Sequence, residues 1–301
     1  MRQLFSSKCQ LTCLRLDITN DSSDYRIHQT FSPYYNIYLS EFDNQLNTNC
    51  MTLRCLHIKI VFGYFIEYVI EHVPALEILS VTFKYSLVRE FLHQRRMIQF
   101  VPTISNWNDK LPKLKCFTLK SKILDDSELK YLKWILNNIN HIEQLKLYLE
   151  INLTSEDDSM KTNYVIDANF ISQYCMADTL KNLINFNFYI VSKCQLLLDN
   201  IQIIEESFKK HKFFLDHQWI NVKCSFDQIM SYQHLSTIGI IKPKLFDGII
   251  NYRNIFDWKY VKYLNVNLNS SIDLFLGKFN IIFPHITCIK YDMGKDFLYC
   301  E

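Results

Sequence analysis

Residues 111–150, LPKLKCFTLKSKILDDSELKYLKWILNNINHIEQLKLYLE, hold two copies of one apolar pattern with a helix-like stretch between them. Leu114, Phe117 and Leu119 are spaced three and then two, and Ile142, Leu145 and Leu147 repeat that spacing 28 residues later. The last two members of each triad alternate with period two, the mark of a strand with one buried face. The leading member falls in the turn that brings the chain onto that strand. Between the copies, Asp125-Asp126-Ser127 offers N-cap oxygens, and Leu129, Leu132, Ile135, Leu136 and Ile139 follow as a helical stripe. Strand, helix, strand in repetition requires parallel strands with helices covering one side.

Searching outward from this stretch finds nine such segments. They are Leu11-Leu14-Leu16, Leu53-Leu56-Ile58, Leu76-Leu79-Val81, Leu114-Phe117-Leu119, Ile142-Leu145-Leu147, Leu183-Phe186-Phe188, Leu235-Ile238-Ile240, Val261-Leu264-Val266 and Ile286-Ile289-Tyr291. Their starts lie 42, 23, 38, 28, 41, 52, 26 and 25 residues apart. The short intervals fit one leucine-rich repeat of about 20–29 residues. The long ones require insertions or degenerate repeats, for which YNIYLSEF (35–42) and WINVKCSF (219–226) are candidates. Helical stripes are predicted over 62–73, over 196–208 and, shorter, over 274–279. Pro74, Pro112 and Pro284 each stand two residues before a triad. There a proline ends the preceding helix or loop and starts the turn onto the strand.

Composition agrees with a large core. The chain of 301 residues is 49% hydrophobic and 15% aromatic, which is ample for a large core and argues strongly against disorder. Five glycines and six prolines leave the loops to Asn, Asp and Ser. The net charge of +2, from 33 basic and 31 acidic side chains, gives no general attraction to nucleic acid or an anionic membrane. There is no signal peptide and no apolar run of 18 residues, so a cytoplasmic or nuclear location and no membrane partner are expected. The ten cysteines contain no CxxC pair and are expected as reduced thiols.

The sequence lacks a GxSxG elbow, an HExxH pair, a Walker loop and a GxGxxG fingerprint, so no catalytic residue is assigned and no enzymatic activity is expected. His211 and His217, six apart, point to opposite faces of a helix and do not suggest a metal site. Asp125-Asp126 reads as a helix cap, Glu156-Asp157-Asp158 as a solvated loop and Glu205-Glu206 as the polar edge of a helix. The basic runs 93–96 and 209–212 fall late in helical segments, where they favour the helix dipole. Cys13, Cys55, Cys116 and Cys288 share the position just before the second triad member. Such a recurring position implies a small, partly buried packing site, so neither metal nor cofactor is expected.

Function then falls to the positions between the buried strand residues. These are Arg15, Asp17, His57, Lys59, Ser80, Thr82, Thr118, Lys120, Lys146, Tyr148, Asn187, Tyr189, Asn265, Asn267, Lys290 and Asp292. The mixture of charge, amide and aromatic side chains suits adaptable recognition of a protein partner.

Segments MTLRCLHIKI, IEHVPALEILSVTF, residues 111–150 and WKYVKYLNVNL resemble the irregular leucine-rich-repeat region of F-box-type proteins. The resemblance covers nearly the whole chain and is strongest over about residues 50–150. It implies an α/β leucine-rich-repeat solenoid of irregular repeat length, with a curved parallel sheet on the concave side and helices on the convex side. The expected organisation is one solenoid domain, 1–301, with an exposed insertion loop near 153–163. The resemblance further implies a non-enzymatic protein-interaction role like that of the substrate-recognition region of a ubiquitin-ligase receptor. The alternative is a repeat scaffold or regulatory protein with no ubiquitin role. The first segment begins at residue 11, so no F-box is expected within this chain; a ligase scaffold is implied as partner only through an F-box upstream.

Overall fold

The computed structural model describes residues 10–18, 49–87, 107–153, 165–178, 182–194, 199–227 and 232–237, together with the backbone of two strands at 263–267 and 288–292. The elements in chain order are β1 (Cys13–Asp17), β2 (Cys55–Ile60), α1 (Tyr64–Ile70), β3 (Ile78–Ser86), α2 (Trp107–Lys110), β4 (Cys116–Ile123), α3 (Asp126–Asn138) and β5 (Gln144–Ile151). There follow α4 (Ala168–Tyr174), β6 (Asn185–Lys193), α5 (Asp199–Lys210), α6 (Lys212–Asp216), β7 (Lys223–Asp227), β8 (Tyr232–Ser236), β9 (Tyr263–Asn267) and β10 (Cys288–Asp292). The result is a mixed α/β fold. Its mostly parallel eight-stranded sheet has the order β1-β2-β3-β4-β5-β6-β8-β7, and β9 and β10 form a parallel pair. Among the described residues no helix is long and apolar enough to cross a membrane.

The chain divides into two compact units, Met1–Lys161 with Ile171–Phe186, and Thr162–Phe170 with Asn187–Glu301. In the first unit, β1 to β5 run parallel, and equivalent triad positions fall opposite one another. Leu14, Leu56, Leu79, Phe117 and Leu145 make one transverse row; Leu16, Ile58, Val81, Leu119 and Leu147 make the next. From Leu56 onward every member of both rows is at most 2% exposed. Each such side chain contributes roughly 1.5–3 kcal/mol of burial free energy. In the edge strand β1, Leu14 and Leu16 are only half-buried.

One backbone device marks the starts of β1 to β5. The carbonyl of the residue before a strand accepts two N–H groups from the next repeat: Thr12 from Arg54 and Cys55, Arg54 from Glu77 and Ile78, and Glu77 from Lys115 and Cys116. Lys115 then accepts from Glu143 and Gln144, and Glu143 from Ile184 and Asn185. These bonds satisfy the backbone where the chain bends onto the sheet and lock neighbouring repeats in register. The preceding turns recur too. Leu76 donates to the Val73 carbonyl, Leu114 to Leu111 and Ile142 to Ile139, each across three residues. Pro74 and Pro112 occupy the second position of the first two turns, where a fixed φ favours the bend. Asn140 takes that place in the third, so the turn does not depend on proline. Leading residues Leu53, Leu76, Leu114 and Ile142 are buried beneath these bends, whereas Leu11 is 43% exposed.

The helices of this unit form as their apolar spacing predicts. Phe62, Phe65, Ile66, Val69, Ile70 and Val73 are all buried. Asp125 caps α3 by accepting the Glu128 N–H at 2.9 Å, and Glu128 reaches back to accept the Leu124 N–H at 2.7 Å. Tyr131 of α3 lies directly on Gly63, where an added Cβ would collide with its ring and hydroxyl. Trp134 of α3 meets Trp107 of α2 edge to face at 5.2 Å. At its other side α3 extends Lys133 to the Met176 carbonyl and to Asp178, and that ammonium holds the Asp178 carboxyl below the usual carboxylate range.

The second unit departs from the repeat. β6 pairs antiparallel with β8, which in turn pairs antiparallel with β7. Leu235 was expected to lead a seventh parallel segment, but it lies inside β8; Ile238 and Ile240 fall outside the described residues. The physical reason is the short connection: residues 228–231 can join β7 to β8 only as antiparallel neighbours, because a parallel crossover needs a dozen or more residues. WINVKCSF does supply a strand, β7, also within this antiparallel pair. Gln233 of β8 is buried and acts as a substitute backbone: its amide donates to the Ile166 carbonyl at 2.6 Å and accepts the Ile166 N–H at 3.0 Å. Glu205 of α5 accepts the Cys224 N–H of β7 at 2.9 Å. His211 and His217 cap the two ends of α6 rather than face apart on one helix. The predicted stretches 35–42 and 274–279, the loop near 153–163 from 154 onward, the basic run 93–96 and Pro284 lie outside the described residues.

Candidate functional site

Because side chains alternate along a strand, burial of one set in β1 to β5 commits the other set to the opposite face. There the register builds three transverse rows. The first is Cys13, Cys55, Ile78, Cys116 and Gln144. The second is Arg15, His57, Ser80, Thr118 and Lys146, and the third is Asp17, Lys59, Thr82, Lys120 and Tyr148. All of these side chains are exposed or half-buried. Nine positions assigned from alternation alone, Arg15, Asp17, His57, Lys59, Thr82, Thr118, Lys120, Lys146 and Tyr148, therefore meet on one face of the first unit, with Ser80 among them.

The face is rich in base. Arg15, Lys59, Lys120, Lys122 and Lys146 stand against Asp17 and Glu150. Lys59 pairs with Asp17 across β1 and β2 at 2.7 Å, and Lys122 lies 3.7 Å from Glu150. Both pairs have a half-exposed partner, and such pairs contribute at most about 1 kcal/mol. No carboxylate among the described residues pairs with Lys120 or Lys146. Desolvation raises the Tyr148 phenol above its ordinary value, so it stays neutral and presents an amphipathic ring.

The other assigned positions are placed differently. Asn187 is half-buried on β6. Tyr189 does not belong to an exposed face: it is 6% exposed and its hydroxyl lies 3.0 Å from His234 Nδ1. The alternation of β6 breaks there, with residues 188–192 buried on both sides, so spacing alone assigned this tyrosine wrongly. In the parallel pair, Asn265 falls opposite Lys290 and Asn267 opposite Asp292, the register that the triad spacing predicts.

The cysteines meet expectation in part. Cys55 and Cys116 are half-buried at the strand entry, as expected, whereas Cys13 is exposed, and their shared position opens onto the polar face. Stepping the alternation back two residues from His57 would have placed Cys55 there. The ligand atoms of Cys13, Cys55 and His57 lie within 4.8 Å of one another. Cys55 Sγ is 3.2 Å from His57 Nε2. Burial, then the hydrogen bond and charge of Cys13 and the charge of Cys116, push the Cys55 thiol up to about 11.

That arrangement is poorly suited to nucleophilic catalysis. The reactive form of cysteine is the thiolate, which these surroundings disfavour. An oxyanion also needs free N–H donors, whereas the Cys55 N–H is committed to the Thr12 carbonyl. Three clustered soft donors remain able to hold a cation. Comparison of the chain with protein-family models, with curated proteins and with solved structures returns no match in any of the three.

Proposed function

We propose that the chain is a non-enzymatic protein-binding module that acts through the outer face of β1 to β5. The reading carries with it the finer architecture of a leucine-rich-repeat solenoid, with a curved parallel sheet on the concave side and helices on the convex side. The supporting observation is repetition: the same two-donor bond to one carbonyl recurs at five successive strand starts, and the same alternation leaves one polar face. Stacked parallel repeats act through such faces. The excess of base selects an acidic protein segment as partner, steered by charge and held by hydrogen bonds to Thr82, Thr118 and Tyr148.

With rows about 19 Å long and about 6.6 Å apart, the patch covers a few hundred square ångströms. One side of a stable interface buries about 800 Å². A partner held by this patch alone forms a weak, exchangeable contact.

Within this proposal the resemblance to F-box receptors makes the face a substrate-recognition surface in the cytoplasm or nucleus. The second reading is a repeat scaffold without a ubiquitin role. The experiment is affinity capture from native lysate with three forms: wild type, Lys120→Asp/Lys146→Asp, and Lys130→Asp on the exposed side of α3 as control. A protein retained by wild type and the control, but released by the double variant and by raised salt, supports the face. Equal retention by all three forms removes it. Co-purification of a ubiquitin-ligase scaffold favours the receptor reading, and its absence from every specific capture favours the scaffold.

A further inference from the structure

We propose that Cys13, Cys55 and His57 form a Zn²⁺ site that staples the edge strand β1 to β2. The cluster is the one group of three or more cysteine, histidine or acidic side chains among the described residues whose ligand atoms converge in this way. Cys13 and Cys55 are register partners on adjacent parallel strands, and His57 follows two residues along the same face. Parallel pairing holds such positions about 4.8 Å apart. Tetrahedral zinc needs sulfur at about 2.3 Å and imidazole nitrogen at about 2.0–2.1 Å from the metal. Donor atoms that all lie within 4.8 Å of one another reach that geometry by small side-chain rotations.

The chemistry of the donors selects the metal. Thiolates exclude magnesium and calcium, which take oxygen ligands, and two thiolates with one imidazole suit zinc. Binding replaces two S–H bonds by two Zn–S bonds and releases two protons to solvent, so the two thiolates neutralise the cation. Neutral His57 supplies one ring nitrogen as the third ligand. Water takes the fourth position on the open face.

The structural consequence falls on β1. Its apolar residues Leu14 and Leu16 are only half-buried, in contrast to the buried rows of β2 to β5. A metal bond between Cys13 and Cys55 adds the cohesion that side-chain burial lacks there. Coordination also anchors the β1 end of the three rows.

The site is tested on the full chain, kept reduced, by Co²⁺ titration in an absorption spectrometer and by Zn²⁺ equilibrium dialysis. One Zn²⁺ per chain, and a thiolate-to-cobalt charge-transfer band with tetrahedral d–d bands, are expected. Cys13→Ser, Cys55→Ser and His57→Ala each weaken binding by at least about tenfold, since losing even an outer-shell partner of a metal site costs that much. Cys116→Ser, in the same row but outside the cluster, leaves binding unchanged. Zn²⁺ also slows amide exchange in residues 13–17 of wild type and not of Cys13→Ser. All four substitutions lie on the exposed or half-buried face, and far-UV circular dichroism verifies their fold.

Absence of stoichiometric Zn²⁺ binding overturns the proposal, as does cobalt binding without a charge-transfer band. Equal loss in Cys116→Ser, or a reduced chain that binds nothing while air yields a Cys13–Cys55 disulfide, overturns it as well.

Discussion

Strands β2 to β5 and strand β8 treat polar groups in opposite ways. In the parallel set, alternate residues are buried and the remainder face outward, apart from an irregularity at Lys84-Tyr85 in β3, so a polar surface arises from pairing alone. In β8, residues 233–236 are all buried, and polarity survives only where it finds a partner. Gln233 bonds to both backbone groups of Ile166, and His234 meets the Tyr189 hydroxyl. The parallel region repeats a solved packing problem and leaves a face available. Strand β8 instead encloses its polar groups and gives each a partner.

Leu119→Asp is the sharpest way to break the first half of that comparison. It places a carboxylate between Val81 and Leu147, both fully buried, and a loss of about 4 kcal/mol or more is expected, read as failure of cooperative urea unfolding.

Alkaline pH reaches both units. Burial pushes Cys175 and Cys224 up to about 12 and Cys194 up to about 11. An unfolded thiol starts from 9.0, so between 9.0 and about 12 the unfolded chain binds fewer protons than the folded one. Stability therefore falls as pH rises through that window and is insensitive to these thiols below it. Urea midpoints measured on either side of pH 9 check the sign.

Gln233→Leu tests the second half. It strands a buried N–H and a buried carbonyl of Ile166, at an expected cost of about 2–5 kcal/mol from two unsatisfied groups. Hydrogen exchange should show the loss first in residues 165–167. A substitution within about 0.5 kcal/mol of wild type would mean that the enclosed polar contacts do not hold this region together.

Lys120→Asp is expected to produce the smallest effect on folding, within about 0.5 kcal/mol, because the side chain is exposed next to a buried leucine. The contrast with Leu119→Asp, one residue away, is a direct measurement of strand facing. Equal destabilisation by the two would reverse the assignment of the face.

Much of this was legible in residues close together in the chain. Leu114, Phe117 and Leu119 announce a turn and a half-buried strand, and Asp125 announces a helix start, because each rests on contacts spanning at most a few residues. The exposed rows followed from the same alternation, since burial of Leu56 and Ile58 leaves His57 no other side. Tyr189 obeyed the identical spacing and is nonetheless buried, with its hydroxyl against His234 of the antiparallel strand β8. The direction of β8 was likewise set by the short link from β7 and not by the Leu235 triad.

Sequence alone determined where the strands of the parallel set begin, which residues they bury and which turns and caps bound them. These are period-two, period-three and helical patterns that adjacent atoms enforce. Only the tertiary structure decided that Cys13 and Cys55, 42 residues apart, are register partners with His57 beside them. Register between distant strands depends on how whole repeats stack, and a distance of a few ångströms between donors is a property of that stacking.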